Sequence, residues 1–367
     1  MPENKPLVLL AAGGTGGHLF PAQALAVALK ARGVRVALAT DERVAGYGGD
    51  FPAESTHVIP SSTLRGSSPL DYAKTIAVLT YGLAKAWLVL GRLKPAVVVG
   101  FGGYPTLPPL FAAAMRGIPA VLHEQNAVMG RANRALAARV DAIAASVPEV
   151  RLLPEAFRPK VTVTGNPVRP NVIAAASTPY DAPQPGGPLK LVIFGGSQGA
   201  RVMADIVPDA IAMLDPALRA RLVIVQQARG EDRARVAGDY EKAGVTAEVA
   251  PFFTDLPARI AHSHLVIARS GASTVAELSA IGRPAILVPL PGALDQDQLG
   301  NARVLEKAGG AVVMEQKDFS PERLAAEITR LAASPDTLAG MAAVAKGIGT
   351  LDAAERLAAL VLKTAGI

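Results

Sequence analysis

The chain twice sets a short apolar run against a glycine-rich turn and then a helix. Residues 7–12 lead into Gly13-Gly14-Thr15-Gly16-Gly17-His18 and a helix expected over 21–32. Residues 189–194 lead into Gly195-Gly196-Ser197-Gln198-Gly199-Ala200 and a second helix. Apolar runs of this length, bounded by glycine, predict buried strands, and alternation with helices predicts parallel sheets covered on both faces. Further strands are expected at 34–40, 97–101, 120–123, 142–145 and 161–164 in the first half. In the second they are expected at 222–226, 247–253, 265–268, 285–288 and 311–314. The order strand, glycine turn, helix recurs in both halves, so the fold class is α/β with a duplicated architecture rather than a short tandem repeat.

A chain of 367 residues exceeds the size at which one core stops growing, which predicts two domains. Residues 177–188 hold four prolines and two glycines in twelve positions and read as a linker. The expected domains are 1–168, joined by a C-terminal helix over 350–367, and 169–349. No cysteine is present, which excludes disulfides and thiolate metal sites. The formal charge of +6 favours an anionic partner, but no block of basic residues and no aromatic-basic interleaving point to nucleic acid. The first apolar run is too short for a signal peptide, so secretion is not expected.

The densest chemistry lies in residues 266–302. Arg269-Ser270-Gly271-Ala272-Ser273-Thr274 is a small-residue turn between an apolar strand and a helix. A helix start carries open backbone N–H groups and partial positive charge, so it suits a phosphate. Glu277 lies one turn further on, where a carboxylate can accept from a sugar diol, and Gln298 and Asn301 add amides. Together they predict a nucleotide-sugar pocket. In the first half, His123-Glu124-Gln125-Asn126 ends a strand, where open α/β sheets bind ligands. Arg169 follows Gly165-Asn166-Pro167-Val168 and is available to a diphosphate.

Residues 70–93 form one long amphipathic helix on a wheel of about 100° per residue. Tyr72, Ile76, Leu79, Leu83, Trp87 and Leu90 share one side, and Lys74, Lys85 and Arg92 the other. The simplest expectation is that the apolar side faces the core. The alternative is peripheral contact with an anionic bilayer. Lys85 interrupts the run, so a transmembrane span is not expected.

The motifs GGTGGH (13–18), GFGGYP (100–105), HEQN (123–126), GNPVR (165–169), GGSQGA (195–200) and RSGASTVAE (269–277) span nearly the whole chain. In that order they resemble the MurG family of glucosaminyltransferases. The resemblance implies the GT-B architecture, two Rossmann-like domains facing across a cleft. It implies inverting, β-forming transfer of GlcNAc from UDP-GlcNAc to the 4-hydroxyl of MurNAc in undecaprenyl-diphospho-MurNAc-pentapeptide. That places the chain in peptidoglycan synthesis at the cytoplasmic face of the plasma membrane, against an anionic surface and beside other cell-wall enzymes. Nucleic acid is not an expected partner.

By the same resemblance the donor contacts fall on Thr15, Gly16, Gly17, Asn126, Arg169, Ser197, the backbone near Phe253, Ala272, Ser273, Thr274, Glu277 and Gln298. The family implies no cofactor and no metal. His18 is the first choice of general base, as imidazole titrates near neutrality; Glu124, also taken as catalytic, and Tyr104 remain alternatives. Asp297 departs from the family's usual histidine or glutamine and, with Asp295, spells a D-x-D string that binds metal on a different fold. Competing readings are another GT-B transferase with a lipid acceptor, a nicotinamide-dependent oxidoreductase, which would want the missing G-x-G-x-x-G, and a non-catalytic nucleotide-sugar sensor.

Overall fold

A computed structural model of the chain describes residues 5–13, 15–42, 51–62, 68–196 and 199–367. It separates into two compact units, Met1–Arg169 with Leu351–Ile367, and Pro170–Thr350.

The strands of the first unit are β1 (Leu7–Ala11), β2 (Arg35–Thr40), β3 (Ser55–Val58), β4 (Val97–Gly100), β5 (Ala120–Glu124), β6 (Ala142–Ala145) and β7 (Val161–Val163). They form one parallel sheet in the order β3-β2-β1-β4-β5-β6-β7. Its helices are α1 (Gly16–Ala31), α2 (Pro69–Leu93), α3 (Leu107–Met115) and α4 (Arg131–Leu136). Along β1 the side chains alternate between two apolar layers, as the pleat requires. Leu7, Leu9 and Ala11 pack with Ala86 and Leu90 of α2 and Leu110 and Ala113 of α3. Val8 and Leu10 pack with Leu25 and Leu29 of α1 and with Leu357 and Val361 near the C-terminus.

In the second unit α5 (Pro170–Ala175) precedes β8 (Leu189–Phe194), α6 (Arg201–Ala212), α7 (Pro216–Arg219), β9 (Leu222–Gln227), α8 (Gly230–Lys242), β10 (Thr246–Ala250) and α9 (Leu256–Ala261). Then come β11 (Leu265–Ala268), α10 (Ala272–Ile281), β12 (Ala285–Leu287), α11 (Asp297–Ala308), β13 (Ala311–Val313), α12 (Pro321–Ala332) and α13 (Pro335–Ile348). The sheet order, β10-β9-β8-β11-β12-β13, repeats the strand order of the first unit, and all pairs are again parallel. This is the doubly wound order whose ligands bind outside the carboxyl ends of the strands. The chain closes with α14 (Ala353–Ala365), which returns to the first unit and packs on α1.

Three expectations need correction. The proline-rich segment 177–188 is not the joint between the units; the crossings fall at Arg169/Pro170 and Thr350/Leu351. The fully buried Arg283 explains why. Its guanidinium donates to the carbonyls of Thr178 and Pro179, both at 3.1 Å, and to those of Ala261, Ile281 and Gly282. It also lies 5.4 Å from the centre of the Tyr180 ring, and the Tyr180 hydroxyl donates to His264 O at 3.0 Å. Five carbonyls converging on one cation offset its desolvation, and the segment is bound to the second unit.

The second correction concerns α2. Its buried side is Thr75, Gly82, Ala86 and Leu90, whereas Tyr72, Ile76, Tyr81, Trp87 and Leu88 are exposed. A Cβ at Gly82 would lie 2.1 Å from Pro60 O, so the helix docks through small residues and turns several bulky ones outward. By length and composition α2 is the one helix among the described residues that could cross a bilayer. Third, α1 begins at Gly16 rather than near Pro21, so the glycine turn is itself the first helical turn.

Candidate functional site

In the first unit the loops after β1, β4, β5 and β7 meet at the carboxyl edge of the sheet. Gly16, Gly17 and His18 open α1, where first-turn N–H groups have no helical partner, and Thr15 at the N-cap makes no side-chain capping bond. The half-buried His18 ring lies on the glycine pair after β4: a Cβ at Gly103 would stand 3.3 Å from its Cδ2 and Nε2, and one at Gly102 3.4 Å from its Cε1. Both glycines have left-handed φ, 83° and 76°, so residue type is required here by conformation as well as by space. Tyr104 begins the short 3-10 turn that follows and is half-buried.

Beneath these groups, His123 is fully buried. Its Nε2 faces Gly165 O at 3.2 Å and its Nδ1 faces the Gln125 amide nitrogen at 2.9 Å, which fixes the Nε2–H tautomer. Burial pushes its pKa down to about 4, only partly opposed by the Gly165 bond, so the ring is neutral at ordinary pH.

Glu124 is not placed to take a proton from a substrate. It is 1% exposed, and four protein donors fill its carboxylate. Oε1 accepts from Asn126 N at 2.9 Å and Asn126 Nδ2 at 3.2 Å; Oε2 accepts from Gly130 N at 2.9 Å and Asn133 Nδ2 at 2.7 Å. Burial raises its pKa and the four bonds oppose that rise. The carboxylate is therefore a brace that orients Asn126 and the 125–130 loop. Arg169, half-buried, stacks its guanidinium 3.9 Å from the centre of the Phe20 ring on α1, which aligns it beside the helix start.

In the second unit α10 starts immediately after the Gly271 N-cap, again without a capping side chain, and its first turn holds Ala272, Ser273 and Thr274. The buried Ser273 Oγ has no hydrogen-bond partner among the described residues. Glu277 is 8% exposed. The Gln298 carbonyl accepts from Leu290 N at 3.0 Å, which turns its amide NH2 to the other side as the group able to read a hydroxyl. Asn301 donates to Ser270 O at 3.2 Å and Ser270 Oγ donates to Gln298 O at 2.8 Å, so Asn301 braces Gln298 through Ser270. Arg269 is structural: its guanidinium holds the carbonyls of Val288 and Pro289 and the Gln316 side chain.

Asp297 Oδ1 accepts from Gln298 N at 2.7 Å, and burial followed by the nearby Asp295 raises its pKa. Among the described residues no three His, Cys, Asp or Glu side chains cluster as metal ligands would. Phe253, 8% exposed, follows β10 and packs under the Arg259 guanidinium at 4.4 Å. Ser197 lies outside the described residues.

Residues 8–145 match the glycosyltransferase family 28 N-terminal domain, and residues 190–357 match the glycosyltransferase family 28 C-terminal domain. Two Rhodopseudomonas palustris proteins, each named UDP-N-acetylglucosamine--N-acetylmuramyl-(pentapeptide) pyrophosphoryl-undecaprenol N-acetylglucosamine transferase, match from end to end. The one from strain BisA53 is 60% identical, covering 100% of this chain and 98% of that protein. The one from strain CGA009 is 61% identical, covering 99% and 100%. The chain belongs to the MurG family.

The crystal structure of Acinetobacter baumannii MurG superposes with a TM-score of 0.78 at 28% identity, covering 98% of this chain and 99% of that one. The α/β class and the two Rossmann-like units of a GT-B enzyme are thus those of the MurG family.

Proposed function

We infer that the chain is an inverting hexosyltransferase that moves GlcNAc from UDP-GlcNAc to the 4-hydroxyl of MurNAc in undecaprenyl-diphospho-MurNAc-pentapeptide, releasing UDP, in peptidoglycan synthesis. The observation that carries this reading is the full-length identity of about 60% to transferases named for that reaction.

The second unit is the donor unit in this reading. The α10 start, with the Ser273 hydroxyl, and the 195–200 turn receive the diphosphate, and their N–H groups stabilise the negative charge that develops on it as the sugar leaves. Glu277 accepts from the ribose diol, the backbone near Phe253 reads uracil, and the Gln298 NH2 donates to a GlcNAc hydroxyl. The first unit supplies Asn126, which reads a second sugar hydroxyl, and Arg169, a cation for the diphosphate. It also supplies the open first turn of α1 at Thr15, Gly16 and Gly17.

His18 is the base. As the MurNAc oxygen forms its bond to the anomeric carbon, His18 takes the hydroxyl proton and the electron pair of the breaking bond leaves on the UDP oxygen. One displacement of this kind inverts the anomeric centre and gives a β product. The Gly102–Gly103 seat limits the rotation of the imidazole, so its position is set before substrate arrives.

The acceptor's polyprenyl chain requires the first unit to approach a bilayer. The outward face of α2 fits that task, with Ile76, Tyr81 and Leu88 each about three-fifths exposed and Lys74, Lys85 and Arg92 along one flank. Apolar side chains entering the interface beside lysines and an arginine fit a peripheral protein on an anionic membrane surface.

The test is incubation with labelled UDP-GlcNAc and a short-chain lipid-linked MurNAc-pentapeptide. The expected result is labelled disaccharide and UDP in equal amounts. UDP release without disaccharide would refute the acceptor, and neither product from folded protein would refute the function.

A further inference from the structure

The second unit carries a polar bridge that none of the motifs contains. Gln227 is the last residue of β9, the strand between β8 and β10, and it is 7% exposed. Its Oε1 accepts from Gly195 N at 3.0 Å, and its Nε2 donates to Pro251 O at 3.2 Å. One partner can only donate and the other can only accept, so the orientation of the amide is fixed. Gly195 opens the turn after β8 and Pro251 opens the loop after β10. Parallel strands in the order β10-β9-β8 bring these two loops to either side of the Gln227 side chain, and a side chain of this length spans them.

The Gly195 end of the bridge is stiff. A Cβ at Gly195 would lie 2.2 Å from Ala200 N, so Gly195 touches the residue that precedes α6. Moving Gly195 therefore moves the start of α6. At the other end, Pro251 is two residues from the buried Phe253, and the adjacent Ala228 N donates to Ala250 O at 3.0 Å. The two loops joined by Gln227 are those to which the proposed function gives the diphosphate and the uracil.

We propose that Gln227 is a positioning residue for the nucleotide donor, fixing the distance between the turn that holds the diphosphate and the loop that reads the base. It bonds the backbone of both and sets their spacing, so that a nucleotide satisfies both at once only when its base and phosphates match that spacing. This inference rests on the donor-site reading above.

The test compares wild type with Gln227→Met, which keeps the volume and removes both bonds, and Gln227→Glu, which keeps the acceptor toward Gly195 and loses the donor toward Pro251. Each is assayed for transfer kinetics and for competitive inhibition by UDP and by ADP. Loss of one or two buried hydrogen bonds predicts a KM for UDP-GlcNAc raised by about tenfold or more, with kcat within about threefold of wild type. The preference for UDP over ADP is expected to shrink by roughly tenfold in both variants. A merely structural role would lower the melting temperature and the active fraction while leaving KM and the UDP-to-ADP ratio unchanged, and that result in either folded variant overturns the proposal. Wild-type protein that neither binds UDP nor transfers GlcNAc would instead overturn the donor-site reading itself.

Discussion

Glu124→Gln separates a brace from a base. The native carboxylate accepts four hydrogen bonds, two at each oxygen. Glutamine has the same shape but replaces one oxygen with NH2, which then faces two protein donors whichever way the amide is turned. Either Asn126 N and Nδ2 lose their acceptor, or Gly130 N and Asn133 Nδ2 do. At about 1–3 kcal/mol for each buried group left unpaired, two such losses give roughly 2–6 kcal/mol. Relaxation of the 125–130 loop lowers the net figure, so a destabilisation of about 2–4 kcal/mol is expected. Urea unfolding of both proteins measures it, with the slope checked so that a change in midpoint means a change in stability. Transfer kinetics should show a higher KM for UDP-GlcNAc, because Asn126 loses its orientation. A variant as stable as wild type whose kcat falls by several orders of magnitude would refute this reasoning and restore Glu124 as the proton acceptor.

His18→Ala should lower kcat by about 10²–10⁴-fold, the range for removal of a general base, with the KM for UDP-GlcNAc nearly unchanged; near-normal kcat would remove His18 from the mechanism. His123 makes stability depend on acid. Its pKa is 6.5 when unfolded and about 4 in the fold, so the unfolded chain binds more protons between these values. The stabilisation is complete above pH 6.5 and is lost as pH falls toward 4, by about 3 kcal/mol. Equilibrium unfolding across that window should show the loss in wild type and a shallower dependence in His123→Asn. Replacing Lys74, Lys85 and Arg92 with glutamate should abolish sedimentation with anionic vesicles while leaving transfer to a short-chain acceptor in solution nearly intact; unchanged vesicle binding would place the membrane contact elsewhere.

Much of the fold was legible because its central strands, such as β1, β4 and β8, are buried on both faces and read as short apolar runs ending at glycine. β3 escaped notice because its residues, Ser-Thr-His-Val, lie at a sheet edge, half-exposed and mostly polar. The helical wheel identified α2 but only part of its inner face. Leu90 and Leu83 do pack on the core, whereas Tyr72, Ile76 and Trp87 turn outward because the contact is also made through Gly82 and Ala86, which a wheel weighing hydrophobicity passes over. Proline and glycine density suggested a linker at 177–188, but whether such a loop is free depends on distant cations, here Arg283 and Lys346, the latter bonded to Ala176 O and Ala280 O.

At the site, residue types were legible and roles were not always so. Glu124 was recognised as a carboxylate at a strand end, but its saturation depends on Gly130 and Asn133 folding back over it. Arg269 stood in a motif yet serves three groups of the scaffold. Gln227 had no motif around it; its only signal was an amide closing the strand between two ligand loops, visible once the sheet order is known.

The most direct measurement is proton NMR of the disaccharide made from UDP-GlcNAc and a soluble lipid-linked MurNAc-pentapeptide. A β linkage from the GlcNAc anomeric carbon to the 4-oxygen of MurNAc is expected, seen as a large coupling between the first two GlcNAc ring protons and a nuclear Overhauser contact from GlcNAc H1 to MurNAc H4. An α linkage, or attachment at another hydroxyl, would contradict it.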